Sequence, residues 1–293
     1  MTEVKLAKVN GVELCYELSG SGDPIVFIQG VARQLIEWPG QLLSTLQQKG
    51  YQTLTYDHRD SGLSTHLEFP HQGALKEELE KINRGKISHL PYQLSDLVAD
   101  LLALCDAVHI HQFHCVGYSM GGMVAQLLAI SCPERLKSLT LINTHSGHRY
   151  HSIPPDSKTE LSLFSVPRAS ESSLLNYLVR LRSRLAGDHC STSKSDWRDV
   201  CVSLLARGYS AQGQLNQMYA IAAARDRSDK LAELTLPTMV VQGENDPLIP
   251  LSAAEQLKML MPHANLQVIP FMGHELEQAY VGALSNLMFM QIN

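Results

Sequence analysis

Six short apolar segments recur along this chain, with helical stretches between them. They lie near residues 25–29, 52–56, 113–117, 138–142, 238–242 and 266–270. Apolar strands that alternate with helices are typical of a parallel sheet, because helices on both faces bury the strands on both sides. The 293 residues, 44% of them hydrophobic, are enough for one large core. The sequence therefore predicts an α/β fold built on a mostly parallel sheet.

A long stretch between the fourth and fifth segments does not continue this alternation. It begins polar and contains prolines, and it then shows apolar residues at helical spacing. One such face comprises Leu174, Leu178, Leu181 and Leu185, and another comprises Leu215, Met218, Tyr219 and Ala222. Because such faces can pack on a core and also bound a pocket, we predict a helical cap at residues 146–235. The core would then comprise residues 1–145 and 236–293.

The third apolar segment leads into Gly117-Tyr118-Ser119-Met120-Gly121, a Gly-x-Ser-x-Gly pentapeptide. The strand gives way at once to a helix of small residues that begins at Met120. A serine on so sharp a turn must take a strained backbone conformation, and the flanking glycines remove Cβ atoms that would clash there. The strain exposes the hydroxyl, and the start of the helix supplies free backbone amides. This context predicts that Ser119 is a nucleophile rather than part of a purely structural turn.

A carboxylate and a histidine follow Ser119 in the order that such a nucleophile needs. Asp246 ends the loop after the fifth segment, and His274 follows the sixth segment and a glycine, where we expect it to open the last helix. His274 would take the hydroxyl proton through one ring nitrogen, and Asp246 would accept a hydrogen bond from the other. Glu244 is an acidic rival, but it lies on the tight turn before Asp246. The sequence therefore predicts a triad of Ser119, Asp246 and His274.

With these three segments in place, the chain resembles the α/β-hydrolases essentially from end to end. The likeness also covers the strand that ends in Gln29-Gly30 and the loop Tyr56-Asp57-His58-Arg59-Asp60. Together with Glu37-Trp38-Pro39, that loop is similar to the esterase branch that includes aclacinomycin methylesterase. Family members usually have His-Gly where this chain has Gln29-Gly30, which puts side-chain support of the following loop in question.

The resemblance implies an eight-stranded, mostly parallel sheet and hydrolysis of a small-molecule carboxylic ester through an acyl-enzyme. It implies no cofactor and no metal. An oxyanion hole needs two backbone donors aimed at the tetrahedral oxygen. One would be the amide of Met120, directly after the nucleophile, and the resemblance assigns the other to Val31.

The same residues are compatible with other functions. A carbon–carbon bond hydrolase or a cofactor-free haloperoxidase or perhydrolase of the same fold would carry the same residues. A hydrolase-like receptor could also keep the triad and serve mainly to bind a ligand. Haloalkane dehalogenases and epoxide hydrolases resemble this fold but use aspartate where this chain has Ser119.

The composition of the chain indicates which kinds of partner and which compartment to expect. The net charge is −5, so no basic surface is expected to attract nucleic acid. No apolar run approaches the roughly 18 residues of a membrane span, and the N-terminus lacks the apolar region of a signal peptide. Four of the six cysteines fall in apolar segments, which favours reduced thiols and a cytoplasmic protein. A homo-oligomer is possible.

Two further groups of polar residues invite a structural interpretation. Two histidine clusters lack carboxylate or cysteine partners at the spacing of known metal sites, so we predict no metal. They are His109, His111 and His114, and His145, His148 and His151. Asp57 and Arg59 are expected to form a buried pair that holds their loop.

Overall fold

The computed structural model describes residues 4–70, 77–78, 81–82, 84, 86, 89–148, 166–167 and 170–292. Within them the strands are β1 (Lys5–Val9), β2 (Val12–Gly20), β3 (Asp23–Ile28), β4 (Tyr51–Tyr56), β5 (Phe113–Tyr118), β6 (Leu136–Ile142), β7 (Thr238–Gly243) and β8 (Asn265–Ile269). The helices are α1 (Gly40–Gln48), α2 (Leu94–Ala107), α3 (Met120–Ser131), α4 (Glu171–Leu185), α5 (Lys194–Ala206), α6 (Ala211–Ala223), α7 (Ser228–Leu231), α8 (Leu251–Leu260) and α9 (Val281–Ile292). Short 3-10 helices lie at Leu35–Glu37, Pro133–Arg135 and Gln278–Tyr280.

These strands form one eight-stranded sheet in the order β1-β2-β4-β3-β5-β6-β7-β8. Strand β2 runs antiparallel to β1 and β4, and the pairs from β4 through β3 to β8 are parallel. The turn between β1 and β2 is Asn10-Gly11, both with positive φ, as a tight two-residue hairpin requires. The predicted mostly parallel sheet is confirmed, and β3 to β8 match the six apolar segments to within about two residues.

Helices cover both faces of the sheet, and alternate residues of each strand face opposite helical layers. In β3, Ile25 and Phe27 pack with α1 and α9, whereas Val26 and Ile28 pack with α2, α3 and α8. This double burial explains why the parallel strands read as continuous apolar runs. Among the described residues, no helix combines the length and the apolar character that crossing a membrane would need.

Helices α4, α5 and α6 lie between β6 and β7 in sequence and form a third apolar cluster with the body. Most of the two predicted apolar faces belong to it: Leu174, Leu178, Leu181, Leu185, Met218, Tyr219 and Ala222. From the body, Val31, Leu248 and Ile249 join this cluster. The predicted polar start of the insertion falls largely on residues 149–165, outside the described residues. The cap limits of 146–235 stay a prediction.

Candidate active site

Ser119 lies at the junction of β5 and α3 with φ 56° and ψ −119°, a conformation that L-residues rarely adopt. Several bonds hold it there. Its amide donates to the carbonyl of Ile142 (2.9 Å), and its carbonyl accepts from the hydroxyl of Thr144 (2.7 Å) and the amide of Gly122 (2.9 Å). The strain is therefore balanced by contacts to the neighbouring strand β6 and to the first turn of α3.

Two close approaches explain the glycines around this serine. A Cβ at Gly121 would overlap the carbonyl oxygen of Ile28, at the end of β3. A Cβ at Gly30 would lie 3.1 Å from the Cβ of Ser119. The loop that follows β3 therefore passes directly beside the serine. A Cβ at Gly121 has no room, and one at Gly30 would require its neighbours to shift slightly.

Ser119, His274 and Asp246 form a continuous chain of hydrogen bonds. The Nε2 atom of His274 lies 3.0 Å from Oγ of Ser119, and its Nδ1 atom lies 2.7 Å from Oδ2 of Asp246. A carboxylate can only accept, so Nδ1 carries a proton and Nε2 is left to accept from the serine hydroxyl. The side chains of His274 and Asp246 are 4% and 0% exposed, so the bond between these two residues is shielded from water.

The structure separates the two acidic residues that compete for the histidine. The second oxygen of Asp246 accepts from the amides of Leu248 (2.8 Å) and Ile249 (2.9 Å), which fixes the carboxylate toward His274. Glu244 is exposed and accepts from the amide of Phe271 (3.1 Å). Geometry therefore brings Asp246, and not Glu244, to His274.

The backbone of His274 is held from three directions. Its carbonyl accepts from the hydroxyl of Tyr118 (2.8 Å) and the amide side chain of Asn143 (3.2 Å), and its amide donates to the carbonyl of Leu185 (2.7 Å). Leu185 is the last residue of α4, so the inserted helices contact the histidine loop directly. The prediction that His274 opens the last helix is wrong, since α9 begins at Val281. These three bonds hold it in a loop instead.

The loop after β3 turns sharply at Gly30, whose carbonyl accepts from the amide of Arg33 (3.2 Å). Val31 lies inside this turn, and Met120 is the first residue of α3. Within the described part of the chain, neither amide donates a hydrogen bond. Both of the backbone donors predicted for an oxyanion hole are thus without an acceptor in the described part of the chain.

Gln29, which stands where family members usually have histidine, is buried below this turn. Its carbonyl pairs with Nε2 of His58 (3.1 Å). Burial lowers the pKa of His58 to about 4, so the ring is neutral at pH 7 and Nε2 donates. A neighbouring loop therefore supports the start of the turn through the main chain of Gln29.

A ring of four buried charges lies next to the histidine and was not foreseen from the sequence. Arg33 contacts Glu37 (2.9 Å) and Glu275 (2.6 Å), and Arg182 contacts the same two carboxylates at 2.5 Å and 3.5 Å. Burial raises the pKa of Glu37 to about 7 despite the opposing field of Arg33. The ring joins the connection between β3 and α1, which carries Arg33 and Glu37, to helix α4 and to the histidine loop.

Asp57 and Arg59 are both buried, but the prediction that they pair with each other is wrong. Asp57 binds Arg207 (2.7 Å), just after α5, and Arg59 forms two bonds of 2.6 Å to Asp100 in α2. Two residues on a sharply turning loop project in different directions, so each finds a partner on another element. The pair with Arg207 is a further contact between the inserted helices and the body.

The two histidine clusters are separate features of the described structure. His114 contacts the hydroxyl of Ser138 (2.8 Å), and burial lowers the pKa of His145 to about 3. His151 lies outside the described residues. In the part of the chain that the structure describes, no three His, Cys, Asp or Glu side chains are grouped as metal ligands would be.

Comparisons with known proteins agree with this architecture. The family model described as alpha/beta hydrolase fold matches residues 23–276. The chain is 27% identical over 284 residues to rhodomycin D methylesterase DauP from Streptomyces sp. (strain C5), and the match covers 89% of each chain. Among solved structures, it is similar to a meta-cleavage product hydrolase from Pseudomonas fluorescens IP01 (TM-score 0.76, 19% identity, 99% and 98% of the two chains). It is also similar to a bromoperoxidase from Bacillus anthracis (TM-score 0.77, 21% identity, 99% of each chain).

The two structural likenesses extend over the whole chain but rest on few identical residues, so they establish the fold alone. The family model spans most of the chain, from β3 to the histidine loop. The protein therefore belongs to the α/β-hydrolase family.

Proposed function

We propose that this protein is a serine hydrolase that cleaves a carboxylic ester. The observation that carries the proposal is the hydrogen-bonded chain from Oγ of Ser119 through His274 to Asp246. The strained turn at Ser119 and the free amides of Val31 and Met120 support it. The methylesterase named among the relatives is consistent with an ester as the substrate.

In the first half-reaction, Oγ of Ser119 attacks the carbonyl carbon while its proton passes to Nε2 of His274. Asp246 stabilises the imidazolium through the 2.7 Å bond to Nδ1. The carbonyl oxygen becomes an oxyanion and accepts from the amides of Val31 and Met120. The carbon–oxygen bond then breaks, His274 gives its proton to the leaving alcohol, and the acyl group stays on Ser119.

In the second half-reaction, water attacks the acyl-enzyme. His274 takes a proton from the water as it attacks, and the same two amides hold the second oxyanion. When this intermediate collapses, the proton returns to Ser119 and the carboxylic acid leaves. No group other than these residues and water is needed for atoms and charges to balance.

The third apolar cluster indicates the polarity of the substrate. Val31 belongs both to the proposed oxyanion hole and to this cluster, together with Tyr177, Leu178 and Met218 from α4 and α6. A wall of this composition favours an ester with an apolar acyl or alcohol group, because burying such a group removes it from water. We therefore assign substrate selection to the cap, residues 146–235.

A panel of p-nitrophenyl esters with graded acyl chains tests the proposal. We expect the protein to cleave at least some of these esters. Leu178→Ala should enlarge the space for the substrate and so change the preferred acyl chain length. One methylene in an apolar pocket is worth about 1–3 kcal/mol, so the shift in kcat/KM between short and long chains should be about tenfold to a hundredfold. Leu97→Ala, in the main core beside α3, is the matched control and should lower stability without changing preference.

The other outcomes point to the alternative functions. Slow turnover with a large ligand-dependent rise in melting temperature would favour a receptor. Inert esters with cleavage of a carbon–carbon bond in a diketone-like substrate would favour that class of hydrolase. If Leu178→Ala lowers kcat/KM equally for all esters and in proportion to the loss of stability, α4 has a structural role only and does not select the substrate.

A further inference from the structure

The turn of residues 30–33, beside Ser119, has an alanine at a position that normally requires glycine. The bond from the amide of Arg33 to the carbonyl of Gly30 makes residues 30–33 a β-turn. Ala32, the third residue, has a φ of 54°, whereas Val31 is not among the residues with positive φ. This combination defines a type II turn, whose third position normally requires glycine. An alanine there is strained, so something outside the turn must favour this conformation.

A side chain from the inserted helices makes that contact. Oε1 of Gln217, on α6, accepts from the amide of Ala32 at 2.7 Å. Its Nε2 atom donates to the carbonyl of Arg59 and the hydroxyl of Ser61, both at 3.0 Å. The carbonyl of Arg59 can only accept and the amide of Ala32 can only donate, so the orientation of the Gln217 amide is fixed. Gln217 is fully buried, and both ends of its amide are therefore bonded in a site without water access.

The contact acts on the peptide that distinguishes turn types. Types I and II differ chiefly by a flip of the central peptide, here the unit between Val31 and Ala32. The amide of Ala32 belongs to that unit, and its bond to Gln217 would be broken by the flip. Types I and II share a negative φ at the second residue, so the flip itself leaves the Val31 amide nearly unmoved. Without the bond to Gln217, however, the strained φ of Ala32 can relax to a negative value, and the loop that carries the Val31 amide is no longer held in one conformation.

We propose that Gln217 is a positioning residue that holds this strained turn in the type II form and so keeps the loop that carries the Val31 amide fixed beside Ser119. The proposal rests on the proposed function. It makes the inserted helix α6 a part of the catalytic architecture, in addition to any role in bounding the pocket. The Arg59 and Ser61 bonds fix Gln217 itself, so the turn after β3 and the loop after β4 are held by one amide.

Gln217→Met tests the proposal, because methionine keeps the length of the side chain and removes all three bonds. We expect kcat for a p-nitrophenyl ester to fall about tenfold to a hundredfold, less than deletion of an oxyanion donor, with KM little changed. Hydrogen exchange at the amide of Ala32 should become faster. The double variant with Ala32→Gly should recover part of kcat, because glycine takes positive φ without strain.

Asn216→Leu is the matched control on the same helix. Asn216 donates to Asp60 (2.9 Å) and to the carbonyl of Leu67 (3.0 Å) and accepts from Gln212 (3.1 Å), and none of these three bonds reaches the turn. It should lower the melting temperature comparably and leave kcat unchanged. Equal kcat losses in the two variants, or no rescue by Ala32→Gly, would overturn the proposal.

Separate measurements test the role of Gln217 and the proposed ester hydrolysis. A wild-type protein that is inert toward esters would contradict the proposed function. Hydrogen exchange at Ala32 needs no substrate, and unchanged exchange in Gln217→Met would by itself show that Gln217 does not hold the turn.

Discussion

Removing one arginine from the ring of four buried charges should be costly and pH-dependent. In the wild type, the two arginines of the ring balance the two glutamates. In Arg182→Met, only Arg33 remains to pair with Glu37 and Glu275, so the buried ring acquires a net negative charge. Breaking a buried pair in this way costs about 3–5 kcal/mol in the free energy of unfolding, because the remaining charge is desolvated without compensation. We therefore expect a loss of this size at pH 8.

The pH dependence follows from Glu37. Its folded-state pKa, about 7, lies above the ordinary value of 4.5, so the folded state binds the proton more tightly and stability falls as pH rises through that window. Arg182 is a positive charge beside Glu37, so its loss should raise the pKa of Glu37 further. The pH range over which stability falls then extends further above pH 7. Each unit of extension adds about 1.4 kcal/mol to the difference between wild type and variant at high pH. At pH 6 Glu37 is protonated in the variant, and the difference should be smaller.

Urea unfolding at pH 6 and pH 8 measures both effects. Arg180→Met, an exposed position on the same helix, is the control and should change the free energy of unfolding by no more than about 0.5 kcal/mol. Adding Glu37→Gln to Arg182→Met restores the charge balance and should recover part of the loss. A loss below about 1 kcal/mol at both pH values, or a larger loss at pH 6, would refute the reasoning.

Two further perturbations give separate tests of the site and its support. Asp246→Asn should lower kcat by up to ~10⁴, because the amide favours the wrong histidine tautomer. Glu244→Gln, at an exposed position, should lower kcat far less. The reverse ranking in ester assays would assign the role of the acid to Glu244. The folded-state pKa of His58, about 4, lies below the ordinary 6.5, so its contribution of about 3 kcal/mol is present above pH 6.5 and is lost as pH falls toward 4. Denaturant unfolding across this range should show a shallower acid slope in His58→Gln than in wild type, and equal slopes would contradict the assignment.

The sequence predicted what depends on local patterns. Strand positions follow from apolar runs, and the sharp turn at Ser119 follows from glycines between a strand and a helix. The order of Ser119, Asp246 and His274 could be predicted because each residue follows a predicted strand within a few positions, and the carboxyl ends of parallel strands lie at one edge of the sheet. Their catalytic roles stay a proposal.

The sequence did not predict which polar side chains meet across the fold. Arg33 and Glu275 are 242 residues apart, and Gln217 and Ala32 are 185 residues apart, so no local spacing relates them. Asp57 shows the same limit, because its nearest charge in sequence is not its partner in space. Partner choice among buried charges depends on the angle at which the inserted helices dock, and local propensities do not determine that angle.

The turnover of Ser119→Ala on a p-nitrophenyl ester that the wild-type protein cleaves tests the central claim most directly. Triad members act as a unit, so loss of the hydroxyl should lower kcat by at least ~10³ while the melting temperature stays close to that of the wild type. Near wild-type turnover in a folded Ser119→Ala protein would contradict the assignment of Ser119 as the nucleophile, and with it the proposed mechanism.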